Sequence, residues 1–269
     1  MSAPAIRPSG GEHPGARRRL GLVGDVHGEL GRLELALHAL AEQRPDALLF
    51  VGDLVSPGWE RRFRAGPKPS ERFGEDLRGI FERARALEVP VAWVPGNHDL
   101  PSPFHPRSLD PALNTDRRHM ELAGLTVYGI GGAGPARFGF PYEWGEAEIA
   151  SLEPGPLDLL LSHTPPFRSG LDRTHSGKFV GSEAVRAHCR QTRALACGHI
   201  HEAAGVSVVE GCLCVNVGAL GEPFGREQIA WIDFEDDAVT GTHLDLITGR
   251  RASDSVSGST PAPVPRSVG

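Results

Sequence analysis

LGLVGDVHGEL, residues 20–30, carries three signals in a row. The apolar run Leu20 to Val23 reads as a buried β-strand, and Gly24 interrupts it just before Asp25-Val26-His27. Beyond that, Leu30, Leu33, Leu37 and Leu40 recur at spacings of three and four, the period of a helix with one buried face. A second strand at Ala47 to Val51 ends in Gly52-Asp53. After a polar loop through Pro57 to Pro69, a helix with Leu77, Ile80, Phe81, Ala84 and Leu87 on one face leads to a third strand, Val91 to Val94, and then to Gly96-Asn97-His98-Asp99. This β-α-β-α-β opening favours a parallel sheet with helices on its outer face.

Past a Pro-rich loop from Leu100 to Asn114 the pattern turns to strands: Leu125 to Ile130, Leu157 to Leu161, Leu195 to Ala196, Val206 to Val209, Leu213 to Val217, Ile229 to Phe234 and Thr242 to Ile247. Short helices fall at Glu146 to Leu152 and Ser182 to Gln191. The expected fold is α/β, two packed sheets flanked by helices. Residues 1–18 and 249–269, rich in Pro, Ser, Gly and Ala, cannot offset the entropy of ordering and read as disordered tails around one domain at 19–248.

The chain has 269 residues, 28 Lys and Arg against 34 Asp and Glu, and a formal net charge of −6. No global positive field advertises a nucleic acid or an anionic membrane as partner, and no dedicated nucleic-acid-binding domain is expected. No apolar run approaches the ~18 residues of a membrane span, and the arginines near Arg19 have no signal-like apolar core behind them, so a cytoplasmic protein is expected. Cys189, Cys197, Cys212 and Cys214 form neither a CxxC pair nor a dense disulfide pattern. They read as buried thiols, with alternation placing Cys212 and Cys214 on one strand face.

Five strand-end segments carry Asp25 and His27, Asp53, Asn97 to Asp99, His163, and His199 with His201. Taken singly each has an ordinary explanation: Asp25 as a helix cap, Asp53 as a turn, His163 as a core histidine, the His199/His201 pair as a fragment of structural zinc site. Together, one amide, carboxylates and several imidazoles suit a mixed-ligand pair of transition metals and argue against a thiolate zinc site.

The ordered set D-x-H, GD, GNHD, H and GHIH, spread over Leu20 to Phe234, resembles the calcineurin-like metallophosphoesterase family. The resemblance implies a four-layer α/β/β/α sandwich. It implies one metal held by Asp25, His27, Asp53 and His201, and a second held by Asp53, Asn97, His163 and His199, with Asp53 shared between ions about 3.5 to 4 Å apart. The ions would be drawn from Mn, Fe, Zn or Ni. His98 is implied as proton donor to the leaving oxygen, and Asp99, one residue on, is the natural group to orient its ring.

The expected activity is hydrolysis of a phosphodiester, with some monoester activity, by metal-activated water. The expected partner is a phosphoester substrate, a small molecule or nucleotide. Arg168, Arg173 and His175, with Lys178, lie in the loop after His163 within reach of a substrate phosphate or as solvated loop charges. A protein Ser/Thr phosphatase is disfavoured by Leu54-Val55-Ser56-Pro57-Gly58 after Asp53 and by Asp99 where those enzymes end in Glu. A non-catalytic adaptor is disfavoured because all seven ligand positions and His98 are filled.

Overall fold

The computed structural model describes residues 17–55, 69–101 and 112–257. The chain opens with β1 (Arg18–Val23), α1 (Leu30–Glu42), β2 (Ala47–Phe50), α2 (Pro69–Ala84) and β3 (Val91–Trp93), the alternation expected from periodicity. Next come β4 (Ala112–Asn114), β5 (His119–Leu122), β6 (Leu125–Ile130), α3 (Glu146–Ala150), β7 (Leu157–Ser162), α4 (Glu183–His188) and β8 (Thr192–Cys197). Five strands close the domain: β9 (Gly205–Val209), β10 (Cys212–Asn216), β11 (Gln228–Phe234), β12 (Ala238–Asp245) and β13 (Arg251–Ser257).

The strands make two mixed sheets, one ordered β13-β12-β11-β1-β2-β3-β4 and the other β5-β6-β7-β8-β10-β9. In the first, β1 to β4 run parallel while β11, β12 and β13 pair antiparallel. In the second, β6, β7, β8 and β10 are parallel between antiparallel edges β5 and β9.

Three hydrophobic layers hold this together, and strand alternation decides which residue joins which layer. Between the sheets, Leu20, Leu22, Leu49 and Ile232 meet Val127, Leu159, Leu161 and Val215. On the outer face of the first sheet, Leu48, Phe50, Trp93 and Trp231 meet Leu33, Leu37 and Leu40 of α1 and Leu77, Ile80 and Phe81 of α2. On the outer face of the second, Leu160, Leu195 and Cys214 meet Ile149 of α3 and Val185 of α4. The result is the α/β/β/α sandwich.

Three strands depart from the sequence reading. The stretch assigned to a C-terminal tail from residue 249 carries β13, seven residues paired antiparallel with β12. Its side chains are almost all exposed, so it is held mainly by ladder hydrogen bonds, with Val256 packed against the core, and leaves little hydrophobic signal. β4 extends the parallel sheet from within the expected loop at 100–114, and β5, His119-Met120-Glu121-Leu122, buries little apart from Leu122. The rest of both expected tails, 1–16 and 258–269, lies outside the described residues. No helix among the described residues is long and apolar enough to cross a membrane.

Candidate metal centre

The sandwich gathers the loops that follow β1, β2, β3, β7 and β8 at one end of the paired sheets. This is where the parallel strands present their carboxyl ends and where open α/β sheets place their ligands. The parallel ladder continues past the strands: Asp25 N–H donates to Gly52 O, His27 N–H to Asp53 O and Gly28 N–H to Leu54 O, at 2.9 to 3.0 Å. The two loops are therefore locked in register. Asp25 (φ 47°), His27 (φ 47°), Asp53 (φ 50°) and His199 (φ 68°) all lie in the left-handed region, which costs a non-glycine residue about 1–3 kcal/mol. Four such residues among seven candidate ligands mark backbone bent to aim side chains.

Two ligand groups result. Asp25, His27 and His201 bring one donor atom each to within 4.8 Å of one another, and Asp53, His163 and His199 do the same. Each group takes residues from both sheets. Asp53 Oδ2 faces both, 3.8 Å from His27 Nε2 and 3.5 Å from His163 Nε2. Asn97, absent from neither expectation nor site, places Oδ1 3.0 Å from His163 Nε2.

Backbone carbonyls fix the histidine tautomers. His163 Nδ1 lies 2.7 Å from Val51 O, and His201 Nδ1 contacts Pro223 O. A carbonyl only accepts, so each Nδ1 carries a proton, and in the neutral ring each Nε2 points a lone pair inward, as a metal-ligating imidazole requires. Those lone pairs meet other acceptors, since His201 Nε2 is 2.9 Å from Asp25 Oδ1 and His163 Nε2 faces Asn97 Oδ1. Acceptors facing acceptors need positive charge between them, from protons or from a metal ion. His27 Nε2 is a buried nitrogen with no hydrogen-bond partner among the described residues, 3.9 Å from Asp25 Oδ1. An orphaned nitrogen aimed between two carboxylates fits a cation, so the donor set suits the metal pair.

The charges agree. Burial pushes Asp53 up, yet His163, His27 and His98 together hold it well below the usual carboxylate range. Burial likewise raises Asp25, and His201 and His163 outweigh it to leave Asp25 lowered. Burial lowers His163 and His201, but Asp53 for the first and Asp25 for the second push each up to about 9. His199 is driven down to about 3 by burial and by His163.

His98 stands beside the ligands. Its N–H donates to Asp53 Oδ1 at 2.8 Å, its Nε2 is 4.0 Å from Asp53 Oδ2, and its side chain is 24% exposed against 7% for His27 and 0% for His163. It thus occupies the solvent side of the centre. The ring of Phe140 lies 4.5 Å from that imidazole.

Asp99 corrects the sequence reading. Its carboxylate accepts from the backbone N–H groups of Gly96, Leu54 and Val55 at 2.8 to 3.2 Å, so it ties the loop after β3 to the loop after β2 instead of orienting the His98 ring. A carboxylate one residue from a candidate proton donor looks like its partner in sequence, but here Asp99 turns to the backbone N–H groups of Gly96, Leu54 and Val55.

The basic loop divides. Arg168 lies over the rings of Phe167 and Phe179 and borders a cavity of about 410 Å³ with Glu183 and Arg186 of α4, in the outer helix layer. Arg173 bridges to Phe179 within the same loop. His175 alone of the three stands next to a ligand-bearing segment, its N–H on Glu202 Oε1 at 3.2 Å and its ring 5.2 Å from Phe224. Sequence reasoning did not reach Val51 and Pro223, whose contribution is a carbonyl, or Phe140, one aromatic in a glycine-rich loop. Asn216 is structural: its amide donates to Leu171 O and Ile200 O at 3.0 Å, bracing the loop that carries His199 and His201.

Two mixed sheets between helices, with carboxylate, amide and imidazole donors collected at their strand ends, define a metallophosphoesterase. The chain belongs to the calcineurin-like phosphoesterase family, whose model matches residues 18–203. Among curated relatives it is 29% identical to an uncharacterised protein of Methanocaldococcus jannaschii, covering 72% of this chain and 85% of that one. It is also 29% identical to a cAMP/cGMP dual specificity phosphodiesterase of Mycobacterium tuberculosis, across 72% of this chain but only 60% of the relative. A dimetal phosphatase from Danio rerio shares the fold, with TM-score 0.58 and 13% identity over 90% of this chain and 99% of that one.

Proposed function

We propose that this protein is a dinuclear metal-dependent phosphodiesterase, with secondary monoesterase activity, acting on a small-molecule or nucleotide phosphoester. The observation that carries the reading is Asp53 Oδ2, which faces both ligand groups at 3.8 and 3.5 Å. A shared carboxylate offsets the repulsion between two cations held close together. Asp25, His27, Asp53 and His201 would hold one ion, and Asp53, Asn97, His163 and His199 the other. Bound there, the pair would supply an activated water nucleophile and would neutralise charge on the phosphoryl oxygens.

The chain's own residues do the rest. Val51 O and Pro223 O hold two imidazoles in the ligating tautomer, and Asp99 fixes the loops that carry Asp53 and Asn97. His98, on the open side of the centre, donates a proton to the departing alkoxide from Nε2. Phe140 beside it gives the leaving group an aromatic wall. A nucleotide substrate is supported by the name of the mycobacterial relative and by this ring, whose face suits a base or an aryl group.

The test is metal content and turnover measured on one preparation. Loaded with Mn²⁺, Fe²⁺, Ni²⁺ or Zn²⁺, the full chain is expected to hold two ions and to cleave bis(p-nitrophenyl) phosphate faster than p-nitrophenyl phosphate, and Asp53→Asn to lose both metal and turnover. Two bound ions with no hydrolysis of any mono- or diester would overturn the enzymatic reading in favour of an adaptor.

A further inference from the structure

Away from the strand ends, the outer layer of the second sheet holds a second convergence of ligand-type side chains. Cys189 closes α4, and Cys212 and Cys214 project from the same face of β10. Their three sulfurs lie within 4.8 Å of one another, and the Cys189 and Cys214 sulfurs are 4.0 Å apart. Burial alone does not call for this: Cys197 is as buried and packs in the same layer, yet joins no such group among the described residues.

We propose that Cys189, Cys212 and Cys214 form a separate metal site that takes one soft, thiophilic cation of the copper(I) type in a three-thiolate plane. Three sulfurs each about 2.3 Å from one ion in a trigonal plane stand about 4.0 Å from each other, the separation already present between Cys189 and Cys214. The group contains no histidine or carboxylate, and a purely thiolate set selects a soft ion over the hard and borderline ions suited to the histidine-rich centre. Among the described residues no fourth ligand joins the group, which favours trigonal copper(I) over a closed four-ligand structural zinc site.

Access and charge are consistent with this. A cavity of about 220 Å³ reaches Cys189 and is bordered by Arg190, Arg193, Glu210 and Asp237, so an ion has a polar approach to an otherwise buried cluster. The Cys189 and Cys214 sulfurs share one S–H contact at 4.0 Å, so the ligand atoms already face one another. Binding breaks three S–H bonds at most, forms three metal–sulfur bonds, releases the protons to solvent and changes no oxidation state.

The test uses the reduced full chain, preloaded with Mn²⁺ to occupy the histidine-rich centre, and copper(I) presented anaerobically with bicinchoninate as competing chelator. One equivalent is expected to be retained, with thiolate-to-copper absorption in the ultraviolet and three sulfurs around copper by X-ray absorption. Removing one ligand costs more than removing an outer-shell partner, so Cys189→Ser and Cys212→Ser should weaken retention by about 100-fold or more while Cys197→Ser leaves it in place. The coordination count on the unaltered protein decides the matter even where a variant fails to fold. No retention, a nitrogen-dominated copper environment, or capture of Zn²⁺ in preference to copper(I) by the same cysteines would overturn the assignment.

Discussion

His98 and Asp53 are joined twice: the His98 backbone N–H donates to Asp53 Oδ1 at 2.8 Å, and the His98 imidazole Nε2 stands 4.0 Å from Asp53 Oδ2. The first contact is made by the peptide and survives any substitution that keeps the turn. The second belongs to the ring alone, so mutation of the side chain separates holding the carboxylate from the proposed proton transfer.

His98→Gln keeps the N–H and loses the proposed acid. It is expected to retain two metal ions and to lose about 10²–10⁴-fold in kcat. Metal analysis beside turnover of a chromogenic diester checks this, and an unimpaired variant would remove His98 from the chemistry.

Asp99→Ala strips the acceptor from three backbone N–H groups and leaves them buried. A loss of at least about 2 kcal/mol in stability is expected, since each unsatisfied donor costs about 1–3 kcal/mol. Denaturant unfolding of the metal-free protein measures it directly. A group that oriented only the His98 ring would instead lower turnover and leave the unfolding midpoint where it was.

Gly96 packs against the Asp53 carboxylate, and a Cβ placed there would run into Asp53 Oδ1 and the Asp53 backbone N–H. Gly96→Ala should therefore displace Asp53 and lower metal stoichiometry. Gly31, in α1 with nothing within 4 Å of an added Cβ, is the control, and Gly31→Ala should be neutral or stabilise by up to about 1 kcal/mol. Equal metal loss in both variants would show that the contact at Gly96 is not the cause.

Metal uptake should release protons. Burial lowers His163 and His201, but their carboxylate partners push both up to about 9 in the metal-free protein, so near pH 7 each Nε2 holds a proton that ligation must displace. Affinity then rises with pH up to about 9 and falls as the solution becomes more acidic. Calorimetry in two buffers of different ionisation enthalpy counts the protons, and identical heats at pH 7 would contradict the protonated state assigned to these rings.

The fold was legible wherever packing wrote a period into the chain. Leu33, Leu37 and Leu40 announce α1, and alternation sorts Leu48 and Phe50 from Leu49 onto opposite faces of β2. β13 was missed because its stability lies mostly in main-chain hydrogen bonds that no side chain advertises. In the site, ligand-type residues were readable by identity and order, and all seven converge. Orientation was not: Asp99 turns from His98 to the backbone, Arg168 lies over Phe167, and the carbonyls of Val51 and Pro223 set imidazole tautomers from positions whose residue type carries no signal.

β1, the first strand among the described residues, sits between β2 and β11, so its partner on one side is about two hundred residues downstream, Leu20 facing Ile232. On a ribosome the strand that leads into Asp25 and His27 is made early and must wait, one edge bare, until the segment around residues 228–234 emerges. Such distant pairing slows folding and leaves an apolar edge open to wrong partners. Nascent chains halted before residue 228 should accordingly remain protease-sensitive at β1, and early protection there would show that the strand does not depend on its late neighbour.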